Sequence, residues 1–118
     1  MATLRVARDE LVIGLGPLEQ LAALRRRVRV PLCQLRSVTT EADPWSALRG
    51  VRAPGTGIPG VVAYGVRRMT GEAPDFAAVR GLGPAVLIEC GSGARFARLV
   101  VSVADPEAAV REIRARSG

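Results

Sequence analysis

Short runs of apolar side chains alternating with polar ones, cut again and again by glycine and proline, extend from Thr3 to Val103 and leave little room for long helices. Alternation at this period places one face of a strand on a core and the other toward water. Leu4, Val6 and Arg8 alternate with Arg5 and Ala7, and after a polar break at Asp9-Glu10 the run Leu11-Val12-Ile13-Gly14-Leu15 completes a hairpin pattern. Val28 and Val30 alternate with Arg27 and Arg29 until Pro31 intervenes, and Leu32 to Glu41 reads as a bent continuation. Val61 to Met69 and Asp75 to Val79 are strand-like, and Ala85 to Cys90 with Arg95 to Val103 predicts a hairpin joined by Gly91-Ser92-Gly93-Ala94.

Helical spacing is confined to a few places. Pro17 suits a first helical position, and Leu18, Leu21, Ala22 and Leu24 follow at helical intervals, ending in Arg25, Arg26 and Arg27, where cations favour the helix dipole. Asp43-Pro44-Trp45 suggests one short helical turn capped by Asp43. The C-terminal segment is the firmest helix: Asp105 caps it, Pro106 opens it, and Ala109, Val110 and Ile113 form its apolar stripe. The expected fold is mostly β (α+β), a single domain over residues 1–118. It has about seven mostly antiparallel strands in a curved sheet, roll or partly open barrel, with one helix after the second strand and a C-terminal capping helix.

A chain of 118 residues can bury one sizeable core, and 48% apolar content places it far from disorder. With only one Trp, one Tyr and two Phe, that core must be built from aliphatic side chains. No apolar run approaches the roughly 18 residues that span a bilayer, and the start lacks the layout of a secretory signal, so a cytoplasmic location is expected. Cys33 and Cys90 each lie in strand-like apolar surroundings and read as buried free thiols. All 17 basic residues are Arg, as GC-rich coding would give, and the net charge of +6 allows association with anions without selecting among them.

The absence of His excludes Ser-His-Asp and Cys-His catalysis and His-ligated metals; the absence of Lys excludes Walker-type phosphate binding and Schiff-base chemistry. Two cysteines far apart make no zinc site. The acidic pairs Glu41 with Asp43 and Glu72 with Asp75 fall in expected turns, where solvated carboxylates are ordinary. No catalytic residue, cofactor or metal is expected, and a small enzyme using carboxylates or Cys90 is the remote alternative.

The most irregular stretch is RGVRAPGTGIPGV, residues 49–61, whose glycines and prolines are expected to prevent regular structure through most of it. Gly55-Thr56-Gly57-Ile58-Pro59-Gly60 spells GxGxxG, but a dinucleotide site needs a helix after it and here a strand follows. Arg49, Arg52, Gly55, Gly57 and Gly60 remain a candidate anion-binding or partner loop, since glycines expose backbone N–H groups beside the flanking cations. Arg67 and Arg68 also flank it but, adjacent on a strand, belong to opposite faces. The cluster Arg25, Arg26, Arg27 and Arg29 is a candidate for anionic membranes. Nucleic acid is not expected, because the aromatics are scattered rather than set among the bases.

The block LRGVRAPGTGIPGVVAYGVRR from Leu48 to Arg68, followed by Asp75-Phe76, RFARLVVSV and the Asp-Pro helix, resembles an uncharacterised actinobacterial family with a bacterial pleckstrin-homology-like fold. The resemblance implies two antiparallel sheets closed at one end by the C-terminal helix, and no enzyme activity. Headgroup chemistry does not carry over, since the first connection, Arg8-Asp9-Glu10, is net acidic. Fold alone does not fix function. The expected function is a binding or scaffold module for a protein partner, including a second copy in a homo-oligomer, through residues 49–61; attachment to anionic membranes is the alternative.

Overall fold

The structure, a computed structural model, describes residues 2–16, 27–48, 51–58, 62–68, 73–91 and 93–117. Its strands are β1 (Thr3–Ala7), β2 (Glu10–Gly14), β3 (Arg27–Pro31), β4 (Leu35–Glu41), β5 (Val51–Ile58), β6 (Val62–Arg68), β7 (Asp75–Arg80), β8 (Ala85–Cys90) and β9 (Arg98–Val101); the helix is α1 (Pro106–Ser117). The first three strands form one sheet, and the other six form a second in the order β4-β8-β9-β7-β6-β5. Neighbours pair antiparallel except β7 and β9, which run parallel.

Alternation decides which side chains enter the core. Leu11, Ile13, Val28 and Val30 from the small sheet meet Val38, Val66, Phe76, Ala78, Val86, Ile88, Leu99 and Val101 from one face of the large sheet. Val110 and Ile113 join them from α1, which packs on β1, β4 and β8 and so bridges the two sheets. The helix starts where its cap dictates: the Ala108 N–H donates to Asp105 Oδ1 at 3.1 Å. Arg114 near its end donates from Nε to the Val38 carbonyl at 2.9 Å, occupying a main-chain acceptor of β4, an outermost strand.

The opposite face of the large sheet carries a second, smaller apolar cluster of Ala47, Ala63, Val79, Ala85 and Val100. Residues 44–48 lie over it as a turn of i to i+3 hydrogen bonds. Trp45 Nε1 anchors this turn on the Gly81 carbonyl at 2.8 Å.

Several expectations are corrected. The described residues contain nine strands rather than about seven, arranged as two open sheets of three and six strands. The expected irregular loop at 49–61 contains β5, paired with β6 from Val51 to Ile58. Its register shifts between Arg52 and Gly55, so a bulge absorbs Pro54, and β5 is outermost, where a missing N–H costs no ladder bond on the far side. The strand expected from Arg95 shortens to Arg98–Val101, because residues 91–97 form the connection. Cys33 is exposed, in a 3-10 turn at Leu32–Gln34, whereas Cys90 is buried. The helix expected from Leu18 to Arg27 falls almost wholly outside the described residues, and Arg27 opens β3.

Candidate functional site

On the face of the large sheet opposite the main core, the strand registers line up one polar position from every strand. Ser37 of β4 pairs with Glu89 of β8, Glu89 with Arg98 of β9, Arg98 with Asp75 of β7, Asp75 with Arg67 of β6, and Arg67 with Arg52 of β5. The row therefore reads Ser, Glu, Arg, Asp, Arg, Arg across all six strands. Its members lie far apart along the chain and are drawn together only by sheet order.

The centre of the row is largely withdrawn from water. Asp75 is 1% exposed. Arg98 donates from Nη2 to Glu89 Oε1 at 3.0 Å and from Nη1 to the Ala47 carbonyl at 3.0 Å, tying the row to the 44–48 turn. Arg98 Nε is buried with no hydrogen-bond partner among the described residues. A carboxyl group this deep needs polar partners, and the registers place Arg98 and Arg67 at the neighbouring positions. Asp75 is thus no solvated turn acid, as the pairing with Glu72 implied; Glu72 lies outside the described residues.

Beside the row, on the same face, the next positions along β5 and β6 are Gly55 opposite Gly65 and then Gly57 opposite Ala63. Gly65 is buried at φ 121, a conformation that other residues rarely adopt, so this position requires glycine. Of the loop candidates, Arg52, Gly55 and Gly57 therefore sit in register on one edge strand, while Arg49 and Gly60 lie outside the described residues.

Comparison with family models, with curated proteins and with solved structures finds no match to this chain. The chemistry has to be judged from its own residues.

The basic cluster is redrawn. Arg25 and Arg26 lie outside the described residues, but Arg27 and Arg29 are exposed on β3. Register puts Arg5 of β1 on the same face, since Arg5 pairs with Val12 and Val12 with Arg29. Arg5 is exposed too and was missed in the sequence because it lies far from the others along the chain. Glu10 partly offsets this charge, its Oε1 lying 3.5 Å from Arg29 Nη1.

The remaining candidates do not assemble. Glu41 Oε2 accepts the Asp43 N–H at 3.2 Å in an exposed turn. Burial raises the pKa of the Cys90 thiol, which disfavours the thiolate a nucleophile needs. Among the described residues no group of His, Cys, Asp and Glu can hold a metal, and no helix is long and apolar enough to cross a membrane.

Proposed function

We propose that this chain is a non-enzymatic binding module, working in the cytoplasm, that takes up an extended segment of a protein along the outer edge of β5. One observation carries the reading. β5 is outermost in a six-stranded sheet and, among the described residues, no strand pairs with its far side. An unpaired strand edge presents a row of main-chain donors and acceptors, which is a template for strand addition. At the other edge, β4 already has its Val38 carbonyl engaged by Arg114. The pleckstrin-homology-like likeness of residues 48–68 belongs to the same proposal: two sheets and a terminal helix support it, whereas the parallel β7–β9 pair departs from it.

Amide hydrogen exchange tests the edge directly. In the isolated monomer the amides of Val51–Ile58 are expected to exchange much faster than those of central β7. Equal protection of the two strands would mean that β5 is already covered and would sink the reading. Light scattering over a concentration series then separates the occupants. Mass that rises as the β5 amides become protected identifies a second copy, and a constant monomer mass directs the search to another chain.

A second reading rests on Arg5, Arg27 and Arg29, three exposed arginines on one face of the small sheet. Basic residues near an anionic surface are worth about 1 kcal/mol each. Replacing all three with Ser is therefore expected to weaken sedimentation with anionic vesicles by about a hundredfold, and salt should weaken the parent to a similar degree. Binding that survives the triple substitution would dismiss the membrane reading.

A further inference from the structure

The edge of the large sheet away from β5 carries a second feature, independent of strand addition. Between β4 and α1 lies a cavity of about 270 Å3 lined by Leu35, Arg36, Ser37, Val38 and Arg114. A strand irregularity brings two of its polar groups together. Leu35 pairs with Cys90 and Ser37 with Glu89, so the register shifts between them and Arg36 is the extra residue of a bulge. Bulges re-aim the side chains they carry, and here Arg36 and Ser37 both reach the cavity. The Arg36 stem runs beside Gly91, where an added Cβ would lie 3.7 Å from Arg36 Cδ. Arg114 arrives from the helix. Its Nε donates to the Val38 carbonyl at 2.9 Å, which holds the guanidinium on the β4 edge and leaves its Nη groups without a hydrogen-bond partner among the described residues.

Among the described residues neither Arg36 nor Arg114 pairs with a carboxylate. The acid opposite Ser37, Glu89, is bound to Arg98 at 3.0 Å and is not among the lining residues. Two guanidinium groups and a hydroxyl thus share one cavity whose lining residues include no acid. Guanidinium forks fit the oxygens of carboxylates and phosphates alike. Charge separates the two: a phosphomonoester carries about −1.5 to −2 at neutral pH and balances both arginines, whereas a carboxylate balances one. Sites for small molecules occupy roughly 300–1,000 Å3, so a cavity of about 270 Å3 takes a ligand at the small end. We propose that the cavity between β4 and α1 binds a small phosphomonoester, its phosphate held by Arg36 and Arg114 with the Ser37 hydroxyl donating a further hydrogen bond.

The test is a nuclear magnetic resonance titration of the intact chain with phenyl phosphate, with benzoate as the carboxylate control. The expected result is saturable shifts confined to the Leu35–Val38 amides and the Arg114 Nε–H. Arg36→Gln should weaken phenyl phosphate at least about tenfold, the loss of a hydrogen bond to a charged group. Arg36 is exposed, so this variant should keep the parent's thermal midpoint. Arg80→Gln removes the same charge from an exposed position on β7 and should change the affinity less than about twofold. Acidification below about pH 6 should weaken the ester, because its second proton returns while arginine stays charged. Equal weakening by Arg36→Gln and Arg80→Gln, or shifts spread over every exposed arginine, would overturn the site and leave only the attraction of a +6 chain for anions. Benzoate bound as tightly as phenyl phosphate would overturn the phosphomonoester class. Vesicles containing phosphatidic acid present the same group on a lipid, and vesicle binding without binding of the soluble ester would replace a small ligand with a membrane surface.

Discussion

Replacing Asp75 with alanine is expected to lower the stability of the domain by about 1–3 kcal/mol, the cost of leaving the polar partners of a buried carboxyl group unsatisfied. Asp75 is 1% exposed and lies in register between Arg98 on one side and Arg67 on the other. Arg98 meets the Glu89 carboxylate at 3.0 Å, and its buried Nε has no hydrogen-bond partner among the described residues. Without Asp75 the row holds three arginines against Glu89 alone. Urea unfolding measures the loss, and a change below about 1 kcal/mol would show that the row is not an electrostatic unit.

The two kinds of sequence signal behaved differently for physical reasons. Local signals survived: alternation placed β1 and β3, continuous apolar runs placed β2 and β8, and Asp105-Pro106 marked the start of α1. Each depends on residues a few positions apart, where period and capping operate. β5 was read as irregular because glycine and proline cost ladder bonds and entropy in a central strand. The cost is smaller on an edge with a bulge, and whether a strand is an edge is a property of sheet order. The charge row was invisible for the same reason. Asp75 and Arg98 meet through the parallel β7–β9 pair, a long-range contact without a local trace. One clue was present: Asp75 is in phase with Ala77 and Val79, so an acid shared the strand face of two apolar residues and should have been suspected of burial. Arg5 could likewise have been placed with Arg27 and Arg29 only once β2 was known to lie between β1 and β3.

Phe96 shows how far core membership can part from secondary structure, and Phe96→Ala is expected to cost about 3–5 kcal/mol although the residue lies in a connection between strands. Loop substitutions are usually mild, because loops run over the surface. Here the 91–97 connection is held inward at its ends. The Cys90 N–H donates to the Ala97 carbonyl at 2.9 Å, the Ala97 N–H to the Pro74 carbonyl at 2.9 Å, and the Gly91 N–H to the Gln34 carbonyl at 2.9 Å. Those bonds leave Phe96 only 2% exposed, its ring tilted by 51° against Phe76 with centroids 5.7 Å apart, and the Arg95 guanidinium 5.3 Å from its centre. In a core built almost entirely from aliphatic residues, this is the one aromatic pair the described residues contribute. A domain of this size is stable by only about 5–15 kcal/mol, so the substitution should remove about a fifth or more of the total. Chemical denaturation of Phe96→Ala beside Phe76→Ala provides the measurement. Comparable losses place the connection within the core as firmly as the strand, and a loss below about 1 kcal/mol for Phe96 alone would mean that the connection packs only weakly and that β8 and β9 are held by their ladder.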